Sequence, residues 1–248
     1  MCTVVILRRP GDDWPLILAA NRDEMVGRPW RGPARHWPDR EHATAGIDEL
    51  AGGTWLALGD DGVIAGVLNR PGSLGPDPNL RSRGELPLEA VDHAEAAVAA
   101  EALSHIHESS YRPFNMVIAD AQDAFWLRAD ANGIRAQPIP EGLSMITAHD
   151  LNDAASPRMN RYRPLFEAAN PPDPENGDWS AWQALMADRF FDDGAGPGGA
   201  MNVSESGDFA TVSSSLLALP APARFGVKPV WLFASGAPDT ANYEAVEL

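Results

Sequence analysis

Met1-Cys2-Thr3-Val4-Val5-Ile6-Leu7-Arg8-Arg9 opens the chain, and Leu16-Ile17-Leu18-Ala19-Ala20-Asn21-Arg22-Asp23-Glu24 follows after a break at Pro10, Gly11, Asp12 and Asp13. Both stretches are apolar and β-prone, and the turn residues between them make residues 3–9 and 16–21 a hairpin. Antiparallel pairing brings the end of the second strand beside the start of the first. Cys2, the one cysteine of the chain, thereby becomes a neighbour of four consecutive polar residues. A small second residue normally permits removal of the initiator Met, which would give Cys2 a free α-amine as well as its thiol. That amine, with an ordinary pKa of about 7.7–8.0, is matched to a general base at neutral pH. It can take the proton of its own thiol and leave a thiolate to attack a carbonyl. A carboxylate of that segment would hold the amine, and its arginine would orient a carbonyl or stabilise charge on sulfur. The plainer alternative is an inert Cys2 opening an edge strand, with residues 21–24 as a solvated strand end.

Working outward, residues 54–59 and 63–68 flank Asp60, Asp61 and Gly62 as a second hairpin. A loop rich in Pro, Trp and Arg, residues 28–40, separates the two hairpins. Leu88, Val91, Ala94, Val98, Ala102 and Ile106 recur near helical spacing, so residues 86–106 hold one or two helices. Residues 115–119, 124–129 and 133–138 read as a meander. Residues 156–169, opening on Ser-Pro, and 178–191 read as helices, and strands return at 209–219 and 229–234. No internal repeat or linker interrupts the chain. The expectation is one α+β domain over residues 1–248 with more than one layer.

Composition narrows the function. The chain has 248 residues, a net charge of −16 and 44% hydrophobic residues. One cysteine excludes an internal disulfide and a thiolate-rich zinc cluster, so no metal site is expected. No run approaches the ~18 apolar residues that span a bilayer. The N-terminus lacks a secretory pattern, and a cytoplasmic protein is expected. Strong acidity argues against a nucleic-acid partner, whose phosphates are bound through Lys and Arg. The charge is uneven, however. Residues 1–83 hold ten arginines against eleven acids, whereas residues 84–248 hold nine basic groups against twenty-four acids. Arg22, Arg28, Arg31, Arg35 and Arg70 are therefore candidate contacts for a small anionic or amphipathic ligand. Trp14, Trp30, Trp37 and Trp55 fall in the same part of the chain, where they can line an apolar groove or simply pack in the core.

Met1-Cys2 at the head of a strand, residues 18–24 with Asn21-Arg22-Asp23-Glu24 intact, Arg28-Pro29 and Gly52-Gly53-Thr54-Trp55-Leu56-Ala57 together resemble the NRDE family, also called the transport and Golgi organisation family. Ser82-Arg83-Gly84 and Phe114-Asn115 fall in that family's order. The resemblance runs through most of the chain and is strongest over residues 1–84. It implies an N-terminal-nucleophile hydrolase fold, a four-layer αββα sandwich with the nucleophile at the start of a central strand. Within that superfamily the pattern is similar to bile-salt hydrolases and penicillin V acylases, cysteine amidases. It implies Cys2 as nucleophile and Asp23 as the carboxylate that holds its amine. Ala65-Gly66-Val67-Leu68-Asn69-Arg70 resembles their loop beside the scissile carbonyl and gives Asn69 a place in the oxyanion or substrate wall. Asn21, Glu24, Arg28, Trp55 and Arg70 are the ligand-binding candidates.

The sequence also departs from those patterns. The arginine three residues before the aspartate falls on Ala20, with Arg22 as a possible substitute from the adjacent side. A Ser-Asn pair is absent from residues 144–152, and Val212 stands where a late arginine precedes the serine pair. His149 or Asn152 is left for the first role, and Arg158 or Arg161 for the second. Two functions follow. One is hydrolysis of a small amide or thioester by Cys2, with no cofactor. The other, also implied by the resemblance, is a carrier of haem or of acyl-CoA and lipid that uses the same pocket without turnover. Haem as cargo would draw on His36, His42, His105, His107 or Cys2.

Overall fold

Unbroken apolar runs such as Val4-Val5-Ile6 and Leu16-Ile17-Leu18 suit strands buried on both faces, since a half-exposed strand alternates instead. The computed structural model describes residues 2–75, 77–204 and 207–248. Met1, whose removal the N-terminal chemistry requires, lies outside the described residues. In chain order the elements are β1 (Thr3–Arg8), β2 (Leu16–Met25), β3 (Trp30–Ala34), β4 (Ala43–Asp48), β5 (Leu56–Gly59), β6 (Ile64–Asn69), α1 (Leu86–Val91), α2 (Ala96–Ser104), β7 (Phe114–Ala119), β8 (Ala124–Asp130), β9 (Gly133–Pro138), β10 (Gly142–Ile146), α3 (Pro157–Ala168), α4 (Ser180–Met186), β11 (Phe209–Leu219), β12 (Val230–Ala234) and β13 (Tyr243–Ala245). The chain divides into two compact units, Met1–Gly27 with Glu141–Val246, and Arg28–Pro140 with Glu247–Leu248.

The first unit is a six-stranded antiparallel sheet in the order β10-β1-β2-β11-β12-β13. The expected hairpin sets its centre, with Thr3 opposite Asn21 and Arg8 opposite Leu16. Helices α3 and α4 cover one face. Val5, Ile17, Ala19, Leu216 and Ala218 from the strands pack there against Met159, Tyr162, Phe166, Trp182 and Met186. Burial of each such large side chain is worth about 2 kcal/mol against exposure. Helix α3 starts where Ser156-Pro157 dictates, because the Ser156 hydroxyl accepts a hydrogen bond from the Met159 amide and Pro157 has no amide to waste. Arg158 is thereby fixed in the first turn.

The second unit is a seven-stranded antiparallel meander, β3 to β9 in sequence order. Helices α1 and α2 cover one face, placing Leu86, Leu88, Ala99 and Leu103 on Ala65, Met116, Ile118 and Leu127. Gly53 and Gly84 bring two backbones into contact. The Thr54 amide donates to the Gly84 carbonyl at 2.8 Å, and a Cβ on Gly53 would lie 2.5 Å from the Gly84 carbonyl carbon.

Several expectations change. The second strand does not stop at Asn21; it runs to Met25, so the polar tetrapeptide lies inside β2, paired through β11. Residues 28–40 are not all loop, because Trp30–Ala34 is an edge strand whose Pro33 sits at an irregularity of the pairing. Strands β4, β10 and β13 were not expected. Their sequences, such as Gly142-Leu-Ser-Met-Ile146, carry too few β-branched residues to stand out, and pairing with stronger neighbours defines them. Helix α4 is shorter than the 178–191 expected.

Candidate active site

Strand alternation divides the tetrapeptide between two faces of β2. Ile17 and Ala19 face the helices, and Asn21 and Asp23 continue that face. Arg22 and Glu24 take the other, and one step beyond the Thr3–Asn21 pair, Cys2 falls opposite Arg22. The Cys2 thiol donates to the Asp23 carbonyl at 3.6 Å. Cys2 is half-buried. Burial pushes its thiol above the ordinary value and the Asp23 charge adds to that, while Arg22 pulls it back.

The Asp23 carboxylate is buried, and two side chains from distant elements hold it. The Arg158 guanidinium reaches from α3, placing Nη2 3.1 Å from Asp23 Oδ2 and donating through Nη1 to Thr3 Oγ1 at 2.5 Å. The Thr211 hydroxyl donates to Asp23 Oδ1 at 2.6 Å and itself accepts from the Val203 amide at 2.8 Å. A β-bulge makes the second contact. Thr211 pairs with Asp23 and Ser213 with Arg22, so Val212 is the extra residue that turns Thr211 onto the face of Asp23. Without it Thr211 would follow the alternation of Ser213 onto the opposite face.

The remaining candidates in this unit have definite places. Asn21, 1% exposed, donates both amide protons to backbone, to the Met186 and Met201 carbonyls at 3.0 and 2.9 Å. Arg22 is buried, with Nη2 3.8 Å from Glu24 Oε2. Asn152 holds β10: its Oδ1 accepts from the Met145 amide and its Nδ2 donates to Ser144 Oγ. That loop position also explains its positive φ of 56°. His149 lies in the turn after β10, its amide donating to Thr147 Oγ1. Arg161 points elsewhere, to Asp192 at 3.0 Å and over the Phe190 ring. Of the two arginines left open by the sequence, Arg158 is the one that reaches Asp23.

Asn69, Arg70, Arg28 and Trp55 belong to the second unit. Asn69 ends β6 opposite Phe114, and Arg70 Nη1 donates to Asn115 Oδ1 at 2.6 Å. Trp55 meets Trp30 edge to face at 5.8 Å, its ring lying on the bare face of Gly46. The arginines of residues 28–40 do not form a bare cationic rim. Arg28 pairs with Asp48, Arg31 with Glu49, Arg35 with Asp60 and Arg40 with Asp92. The histidines considered for haem have other contacts: His42 meets Asp92, His105 meets Glu101, His107 meets Ser109, and His36 meets the Gly32 carbonyl. Among the described residues no three His, Cys, Asp or Glu side chains gather as metal ligands. No helix of the described residues is long and apolar enough to cross a membrane. Thr3, Thr211 and the bulge at Val212 are the site features that the sequence reading missed. Only the order of strands in the sheet brings them to Asp23.

A family model described as Transport and Golgi organisation 2 matches residues 1–177. The chain belongs to the Transport and Golgi organisation 2 family. Homologues of that name are 33% identical over 135 residues in Mus musculus and 34% over 135 residues in Homo sapiens. Each alignment covers 50% of this chain and 46% of the relative, so the chain spans about half the length of the curated relatives it matches. Solved structures similar to this Transport and Golgi organisation 2 family member include an acylase, a bile acid hydrolase and an acid amidase. Penicillin V acylase from Agrobacterium tumefaciens superposes with a TM-score of 0.54 at 12% identity, covering 100% of this chain and 86% of that one. Conjugated bile acid hydrolase from Clostridium perfringens gives 0.55 at 10% identity, covering 100% and 97%. An N-acylethanolamine-hydrolyzing acid amidase ortholog from Caenorhabditis elegans gives 0.54 at 11%, covering 87% and 92%. At such identities the likeness establishes the fold. It is the α+β fold of the N-terminal-nucleophile hydrolases.

Proposed function

We propose that this chain is an N-terminal-nucleophile hydrolase that cleaves a small amide or thioester through Cys2 once Met1 is removed. The α-amine of Cys2 takes the thiol proton and the sulfur attacks the carbonyl carbon. The carbon–sulfur bond forms, the bond to the amine or thiol leaving group breaks, and the ammonium returns its proton to that group. Water then attacks the thioester on Cys2, releasing the carboxylic acid and restoring the thiol. Asp23 favours and orients the protonated amine through the charge that Arg158 and Thr211 keep in place. The observation that carries the reading is a buried carboxylate, fixed at both oxygens, on the residue whose carbonyl accepts from the Cys2 thiol. Its test is hydrolysis of chromogenic acyl anilides and acyl thioesters by the protein lacking Met1. Turnover that Cys2→Ala abolishes is expected, and turnover unchanged by Cys2→Ala would overturn the reading.

A second reading, carriage of haem or an acyl-CoA or lipid without turnover, is favoured by the raised thiol. A thiol kept protonated by burial is a poor nucleophile. In that case the same substrates bind without being cleaved, and Cys2→Ala leaves their affinity intact.

A further inference from the structure

Asn21 opens the polar tetrapeptide, and its contacts give it work inside the fold. It lies buried on the helix face of β2, the face it shares with Asp23. Its Nδ2 donates to the Met186 carbonyl at 3.0 Å and to the Met201 carbonyl at 2.9 Å. Met186 ends α4, so its carbonyl is one of those that a helix leaves without an internal partner. Met201 stands at the far end of the loop that leaves the same helix. Residues 187–202 thus depart from and return to one side-chain amide. Two further bonds close the loop at its feet. The Asn202 amide donates to the Asp188 carbonyl at 2.9 Å, and Asn202 Nδ2 donates to the Ala187 carbonyl at 3.3 Å. The crown carries four glycines in residues 192–199, which leaves it little stiffness of its own to place those feet.

Val203 follows the second foot. Its amide donates to Thr211 Oγ1 at 2.8 Å, and its carbonyl accepts from the Thr211 amide at 3.0 Å. A hydroxyl has one proton to give. With the Val203 amide on one of its lone pairs, Thr211 directs that proton to Asp23 Oδ1, 2.6 Å away. Asn21, Asn202, Val203 and Thr211 are each 3% exposed or less, so bulk water does not compete for these bonds. From Asn21 the path to the Asp23 carboxylate is short: Met201, two residues on to Val203, then Thr211. Two carbonyl acceptors call for an NH2 group, whereas an aspartate of the same shape would set a carboxylate against both. We propose that, within the hydrolase reading on which this rests, Asn21 is a positioning residue. By clamping both feet of loop 187–202 it holds the Val203 amide on Thr211, and through Thr211 it fixes the carboxylate of Asp23.

The pH dependence of Cys2 alkylation by iodoacetamide, followed on the full chain retaining Met1, tests this without any substrate. The Asp23 charge raises the thiol, while Arg22 and the N-terminal amine, which lower it, are untouched by the variants below. A carboxylate left to Arg158 alone is freer to turn away, so the midpoint of the profile should fall. Thr211→Val, which cuts the path at the hydroxyl, is expected to lower it, and Thr211→Ser to restore it. Asn21→Ala should lower it too, with alkylation at neutral pH faster by about tenfold, and should add nothing on top of Thr211→Val. A merely structural loss of burial would add to the effect of Thr211→Val instead. Asn202→Ala, which unties the foot at Ala187, takes the place of Asn21→Ala should that variant not fold. Leu103→Ala opens a cavity in the core of the second unit and should leave the midpoint where it is. Additive shifts, an unmoved midpoint, or an equal shift in Leu103→Ala would overturn the positioning role. Alkylation needs no turnover, so failure to cleave anilides or thioesters would strike the hydrolase reading and leave this result standing. An unmoved midpoint in an active enzyme would do the reverse.

Discussion

Asp23 and Arg158 form an ion pair in which the side chains are 0% and 3% exposed. Taking two charges out of water costs several kcal/mol each, and the fold offsets this only by giving each group further hydrogen bonds, Thr3 for the arginine and Thr211 for the aspartate. Removing one partner should be severe. Arg158→Met is expected to lower the unfolding free energy by about 3–5 kcal/mol in urea denaturation, and restoring only the charge with Arg158→Lys should recover part of it. The Cys2 thiol makes a separate prediction. Its raised pKa means that less thiolate is present at neutral pH than in a model peptide. Alkylation by iodoacetamide of the chain retaining Met1 should be slow at neutral pH and accelerate only above the ordinary thiol range, about 8.5. Fast alkylation at pH 7 would contradict the burial described. Cys2 and Asp23 were legible because reactive or charged residues stand out beside an apolar run, whereas Arg158 was only one of two alternatives, with Arg161, for an arginine missing from its usual place. Thr3 and Thr211 were illegible, since a threonine in a strand is ordinary until register shows what it faces.

At the scale of elements, the hairpin β1–β2 was readable because its apolar runs and its turn are local signals. The continuation of β2 to Met25 was not readable. Asn, Asp and Glu are poor strand formers, and β11, nearly 190 positions away, pairs with their backbone and supplies Thr211 to the Asp23 side chain. The Gly-Gly-Thr-Trp and Ser-Arg-Gly motifs, carried in the sequence only by resemblance, acquire a physical reason: Gly53 and Gly84 let two backbones touch. Gly53→Ala should therefore destabilise the protein by about 1–3 kcal/mol through overpacking. Gly62→Ala makes a useful contrast, for it meets open space and suffers only from its positive φ of 88°. Thermal unfolding of both separates close packing from backbone strain.

For the whole molecule, the acidic total conceals local order. The arginines of residues 28–40 face carboxylates one by one. Fold and family are established by matches covering most of the chain, while the proposed activity rests on Cys2, whose thiol donates to the backbone carbonyl of the residue that carries the fixed carboxylate. The central claim is that Cys2 becomes a nucleophile with a free amine. The intact mass of the purified protein, taken before and after a thiol-directed acylating probe, tests it most directly. Loss of Met1 is predicted, together with one acyl adduct that maps to Cys2 and disappears over time as the thioester hydrolyses. Retention of Met1, or an adduct that forms equally on Cys2→Ala, would contradict the account.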